Sequence, residues 1–165
     1  MSRSSESHVP EPPVLLCFDG SEDAAEAIVR AGKMLGARKA VVLTVWEPIA
    51  VWEPYDPGAV LGAAIGKLVS KELGLDELAA DLAREKLRKG TELASAAGFE
   101  PEGRVTRGKT WRAICEVADE LDAEPIVVGA RGLGRVESVI LGSVSSAVVL
   151  HAKRPVLVVP AHGGD

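Results

Sequence analysis

The sequence predicts an α/β domain in which a parallel sheet carries helices on both faces. Two observations lead there. Strand-like and helix-like stretches alternate along the chain in the order β-α-β-(long α)-β-α-β-loop-α-β, the pattern of strands joined by crossover helices. The strand-like runs are also apolar almost throughout rather than alternating, which suits strands covered on two faces. A length of 165 residues fits one domain, and 47% hydrophobic residues can build a sizeable core.

The first run is "VLLCF", Val14 to Phe18. "DGSE" follows, with a turn glycine and with Ser21 placed to cap a helix. In "EDAAEAIVRAGKML" the residues Ala25, Ile28, Val29 and Ala31 fall near one side of a helix, which Gly36 closes. "KAVVLTV", Lys39 to Val45, is the second buried strand. "VWEP" then occurs twice, at Val45 to Pro48 and Val51 to Pro54. Nothing recurs at a solenoid period, so this is local duplication or chance. Pro48, Pro54, Pro57 and Gly58 predict a long loop, and "GAVLGAAIGKLVS" a short helix weakened by its glycines. From Leu75 to Ala97 the pattern is helical, with Leu75, Leu78, Leu82, Leu93 and Ala97 as the expected apolar stripe.

The third strand, "EGRVTRG", has the faintest pattern. "TWRAICEVADELDA" is helical, with Ile114, Val117 and Leu121 at spacings of three and four. "EPIVVGA" is a strand that ends near Gly129, "SVSSAVVLHAK" a short helix, and "RPVLVVP" a final strand between two prolines. Residues 1–12 are polar and proline-rich and read as a flexible arm, 13–160 as the domain, and 161–165 as a flexible tail.

Composition narrows the function classes. The net charge is −5, which argues against a general nucleic-acid binder. "RVTRGKTWR" gathers Arg104, Arg107, Lys109 and Arg112 around Trp111, and reads as a solvated strand-to-helix turn. Cys17 and Cys115 have no metal-ligand spacing, and both are expected as small buried hydrophobes of a cytoplasmic protein. The start has no apolar signal-peptide core, and no apolar run approaches the roughly 18 residues of a membrane span. His8, His151 and His162 are dispersed, so no catalytic or metal role is expected of them. Trp46 and Trp52 read as loop anchors.

In such sheets, ligands settle beyond the carboxyl ends of the strands. The segments leaving those ends are "DGSE", "WEP" and "GARGLG". Gly129 ends its strand and lets the backbone pass close to a ligand. Two residues separate it from Gly132, and nine more separate Gly132 from Gly142 and Ser143. "GSVSS" then opens a helix whose first N–H groups lack internal partners and can satisfy an anion. Ser143, Ser145 and Ser146 add hydroxyls, and Arg131 adds positive potential. GxxxxGK[ST] and GxSxG are absent, and Glu137 stands where GxGxxG needs its third glycine.

The spacing G-x2-G-x9-G-S resembles the nucleotide motif of the universal stress protein family, as do the "FDGSE" beginning and the "RPVLVV" ending. The resemblance spans Val14 to Pro160. It implies a Rossmann-like fold with strand order 3-2-1-4-5, and a homodimer built through the last strand. The intact glycine pattern points to the family's ATP-binding branch. Carried over by position, Asp19 approaches the ribose and phosphates, and Val45 offers backbone groups to adenine. Val128 and Gly129 flank the nucleoside, while Arg131, Gly132, Gly142, Ser143, Val144 and Ser145 surround the phosphates. Mg2+ would arrive with the nucleotide, since no dedicated metal cage is visible.

The leading expectation is therefore an ATP-binding, nucleotide-regulated stress-response homodimer in which ATP hydrolysis is slow or absent. Two other classes stay open. One is a partner-binding module with a vestigial site, using the stretch Trp46 to Ser70; the other is a hydrolase or phosphotransferase with Asp19 as base.

Overall fold

The computed structural model describes residues 11–48, 57–131 and 141–160, with side chains of the second helix described from residue 64 onward. The elements are β1 (Val14–Cys17), α1 (Glu22–Leu35), β2 (Lys39–Trp46), α2 (Pro57–Glu72) and α3 (Leu75–Ala96). They continue as β3 (Glu100–Arg107), α4 (Thr110–Glu120), β4 (Ile126–Gly129), α5 (Ser143–His151) and β5 (Val156–Val159). The strands form one sheet in the order β3-β2-β1-β4-β5, and all four pairings are parallel. The fold class is the one the sequence predicts, and the strand order is the one the family resemblance implies.

The strands alternate their side chains between two cores. Val14, Leu16 and Phe18 of the first strand run, Ala40 and Val42 of β2, and Val127 of β4 face α1 and α3. Leu15, Val41, Leu43, Ile126 and Val128 face the opposite way, against α4 and α5. Leu15, Leu16, Ile28 and Ile126 are fully buried, a burial that contributes about 1.5–3 kcal/mol per side chain. Ser21 caps α1 as expected: its Oγ accepts from the Ala24 N–H at 3.1 Å.

Three sequence expectations need correction. The buried face of α3 is only in part the expected stripe, of which Leu93 and Ala97 pack against the core. Leu78 and Leu82 are each 56% exposed, whereas Ala83, Gly90 and Ala94 are buried, with Leu87 and Leu93 packed against the same core. Small residues win because α3 lies close to the sheet: a Cβ on Gly90 would sit 2.7 Å from the Phe18 ring. The third strand also begins earlier, at Glu100, and pairs with β2 along eight residues. As an edge strand it buries none of its residues completely, which is why its apolar signal is faint. The short helix of the middle is a 16-residue helix, α2. The arm through residue 10, the tail from residue 161, and Trp52, Glu137, His8 and His162 lie outside the described residues.

Candidate functional site

The strand order reverses between β1 and β4, because the chain first builds outward through β2 and β3 and then returns to add β4 and β5. The segments leaving β1 and β4 therefore diverge to opposite faces and leave a crevice at their carboxyl ends. A cavity of about 240 Å³ lies there. Its walls come from six elements or their exits. Cys17 ends β1, and Phe18 and Asp19 follow it; Ala24 belongs to α1, and Leu43 and Val45 to β2. Thr110 and Ile114 come from α4, Val128, Gly129 and Arg131 from the end of β4, and Gly142 to Ser145 from the mouth of α5.

Each wall is fastened locally. Thr44 Oγ1 donates to the Phe18 carbonyl at 3.0 Å and the Phe18 N–H donates to Leu43 at 2.9 Å, locking the end of β1 to β2. Asp19 follows, and its Oδ1 accepts from the Ser21 N–H at 2.9 Å. That turn needs Gly20, which sits at φ +89°. The carboxylate of Asp19 is thereby aimed by the same turn that starts α1.

On the other side, the end of β4 is stitched to α5. The Gly142 N–H donates to Ala130 O at 2.6 Å, and Ser145 Oγ donates to Gly129 O at 2.7 Å. Ser145 is buried, so its hydroxyl proton serves this internal bond rather than standing open in the cavity. Ser146 is the first α5 residue whose N–H reaches an intrahelical acceptor, Gly142 O at 2.9 Å. The amides of Ser143, Val144 and Ser145 precede it and have no acceptor within the helix. These amides and the positive end of the helix dipole make a wall whose electrostatics suit an anion.

The cavity's other end is less polar. Leu43, Val45, Ile114 and Val128 surround it, with Thr110 at the rim. Thr110 is held by Glu47, whose Oε1 accepts from both the Thr110 N–H and its Oγ1 at 2.8 Å. Lys109 precedes α4 without a side-chain cap, so Glu47, from the end of β2, caps that helix across the fold. Cys17 lines the cavity half-buried rather than being a filled core position. Burial pushes its thiol pKa far up, with Cys115 and Asp19 adding to the shift. Burial also raises the Cys115 thiol, assisted by Asp119 and Glu116.

Of the residues proposed from the sequence, Asp19, Val45, Val128, Gly129, Arg131, Gly142, Ser143, Val144 and Ser145 all line this one cavity. Gly132 lies outside the described residues. Cys17, Phe18, Ala24, Leu43, Thr110 and Ile114 were not singled out as site residues. Their types carry no chemical signal in one dimension; only their register at strand ends could have found them. Asp23 was missed too. It is buried on α1, and its Oδ2 lies 3.4 Å from Arg131 Nε.

The basic cluster of the third strand is largely committed within the fold. Arg104 makes a two-pronged pair with Glu120 at 3.1 and 2.8 Å. Arg107 reaches Asp76 at 3.2 Å and lies over the Trp46 ring, while Arg112 lies over Trp111. His151 stacks on Trp111 with ring centroids 4.5 Å apart. Among the described residues no group of three or more His, Cys, Asp or Glu could hold a metal ion, and no helix is long and apolar enough to cross a membrane.

Fold and cavity together define a doubly wound α/β domain with a helix mouth opening into a cavity at its switch point. The chain belongs to the universal stress protein family, whose model matches residues 12–160. It is 34% identical over 150 residues to a universal stress protein of Synechocystis, covering 88% of this chain and 96% of that one. It resembles the solved structure of the universal stress protein UspA from Lactobacillus plantarum, with TM-score 0.65 and 21% identity, over 91% of this chain and 98% of that one. It also resembles a universal stress protein solved in complex with cAMP, with TM-score 0.58 and 28% identity, over 92% of this chain and 98% of that one.

Proposed function

We propose that the cavity binds an adenine nucleotide, ATP in the first place, and that occupancy regulates the protein as a stress-response homodimer. One observation carries this reading: the mouth of α5, whose first amides have no intrahelical acceptor, and an apolar group from β2, α4 and β4 line the same cavity. The mouth suits phosphates; the slot, with Leu43, Val45, Ile114 and Val128, suits a flat base. The relative solved with cAMP supports an adenine nucleotide as the ligand class. Mg2+ would come with ATP, and Asp19 is the carboxylate nearest to hand in the lining. Slow or absent hydrolysis goes with this reading. Dimerisation is assigned to β5, an outer strand of the sheet whose Val156, Leu157 and Val158 are only half-buried.

A partner-binding module is the second reading. Ile65, Leu68 and Val69 on α2 and Leu73 just after it are all exposed, within or next to the stretch Trp46 to Ser70.

Thermal unfolding with added nucleotide tests the first reading. At a hundred times its dissociation constant, ATP adds about 2.7 kcal/mol of stability, or about 5–10 °C in a chain of this size. Gly142→Val, which puts a branched side chain into the helix mouth, should abolish the shift. No shift with ATP in the unaltered protein would favour the partner-binding module.

A further inference from the structure

We infer that Asp23 is a positioning residue that sets, through Arg131, how strongly the cavity distinguishes nucleotides by their number of phosphates. The inference rests on the nucleotide reading above and deepens it. Asp23 is the second residue of α1 and is 4% exposed. The end of β4 packs directly on its backbone: a Cβ on Gly129 would lie 2.9 Å from the Asp23 carbonyl carbon and oxygen. Two residues beyond Gly129, Arg131 lines the cavity, and its Nε lies 3.4 Å from Asp23 Oδ2. The side chains are 27% and 5% exposed, respectively. The same strand end is joined to the mouth of α5 by the bonds from Gly142 to Ala130 and from Ser145 to Gly129. The Arg131 side chain is therefore paired with a buried carboxylate while it lines the same cavity as the mouth of α5.

A guanidinium already balanced by a carboxylate attracts each added phosphate less than a bare one does. The carboxylate also repels those phosphates directly, and its burial shields that field from solvent screening. Apart from Val128 of β4, the nucleoside slot is formed by other elements, β2 and α4, so the effect falls mainly on the phosphate end. Damping of this kind keeps mono- and triphosphates in competition for one cavity.

Calorimetric titration of ATP, AMP and adenosine into the full chain, Asp23→Asn and Arg131→Gln tests the inference. Asp23→Asn is expected to tighten ATP about tenfold, AMP by less and adenosine by under about twofold, the size of a Coulomb term acting across several ångströms at intermediate dielectric. An ATP-to-adenosine affinity ratio that is unchanged or lowered overturns the inference. Arg131→Gln gives a second arm should Asp23→Asn disturb α1. With one positive charge removed beside the Asp23 carboxylate, the ATP-to-adenosine affinity ratio should fall well below that of the unaltered chain, and an unchanged or raised ratio overturns the inference. If the unaltered chain binds neither ATP nor adenosine, the nucleotide reading itself fails. If it binds both and the variants leave the ratio alone, only the role of Asp23 fails.

Discussion

Gly129 shows how one position can be read correctly for an incomplete reason. In the sequence it is a glycine that lets a ligand come near; in the fold it is also the point where β4 meets the first turn of α1. Its missing Cβ would strike the backbone of Asp23 and Ala24 at 2.9–3.1 Å. Gly129→Ala is therefore expected to destabilise the fold by about 1–3 kcal/mol, since backbone must shift to make room. Urea unfolding checks this, and an unchanged midpoint would contradict it. Thr44 acts similarly below the cavity. Removing the buried hydroxyl in Thr44→Val leaves the Phe18 carbonyl without its side-chain donor, for a loss of about 1–3 kcal/mol. The thiol of Cys17 is held protonated by burial. Alkylation at pH 8 should thus be far slower in the native chain than in urea, and equal rates would contradict the packing described.

At the scale of elements, α3 separates helical periodicity from helical packing. Leu78 and Leu82 keep the helical spacing yet face solvent, while Ala83, Gly90 and Ala94 meet the sheet. Leu82→Lys should change stability by no more than about 0.5 kcal/mol. Ala94→Leu, which forces extra methylenes into a fully buried site, should cost about 1–3 kcal/mol. The reverse order of effects would mean that the leucine row is the buried face. In α4 the periodic residues do face the core: Ile114 and Val117 are buried and Leu121 packs against them. The difference is spacing to the sheet. At α3, Gly90 and Gly103 bring helix and strands so close that Phe18 and Leu87 fill the gap a side chain would need.

For the whole molecule, β1 and β4 are paired neighbours from which the chain leaves toward opposite faces, into α1 and α5, and the cavity at their carboxyl ends is a consequence of that winding. The outer strand β5 and the exposed Val149 and Leu150 of α5 sit at one side of the sheet. The proposed pairing through β5 is expected to give a particle of two chains in sedimentation at micromolar concentration. A single chain under those conditions would rule it out.

The alternation of apolar runs with amphipathic stretches, the cap at Ser21 and the glycine spacing up to Gly142 are local patterns. Hydrophobic periodicity and turn chemistry act over a few residues, so the sequence alone determined the element order and the parallel sheet, while the strand-end residues of the cavity followed from the family resemblance. What only the tertiary structure decided joins residues far apart in the chain. Examples are the face of α3 that is buried, the capping of α4 by Glu47, the bond that occupies the Ser145 hydroxyl, and the pairing of Asp23 with Arg131. Such partners are set by how closely helix and sheet approach one another, a distance that no single stretch of sequence encodes.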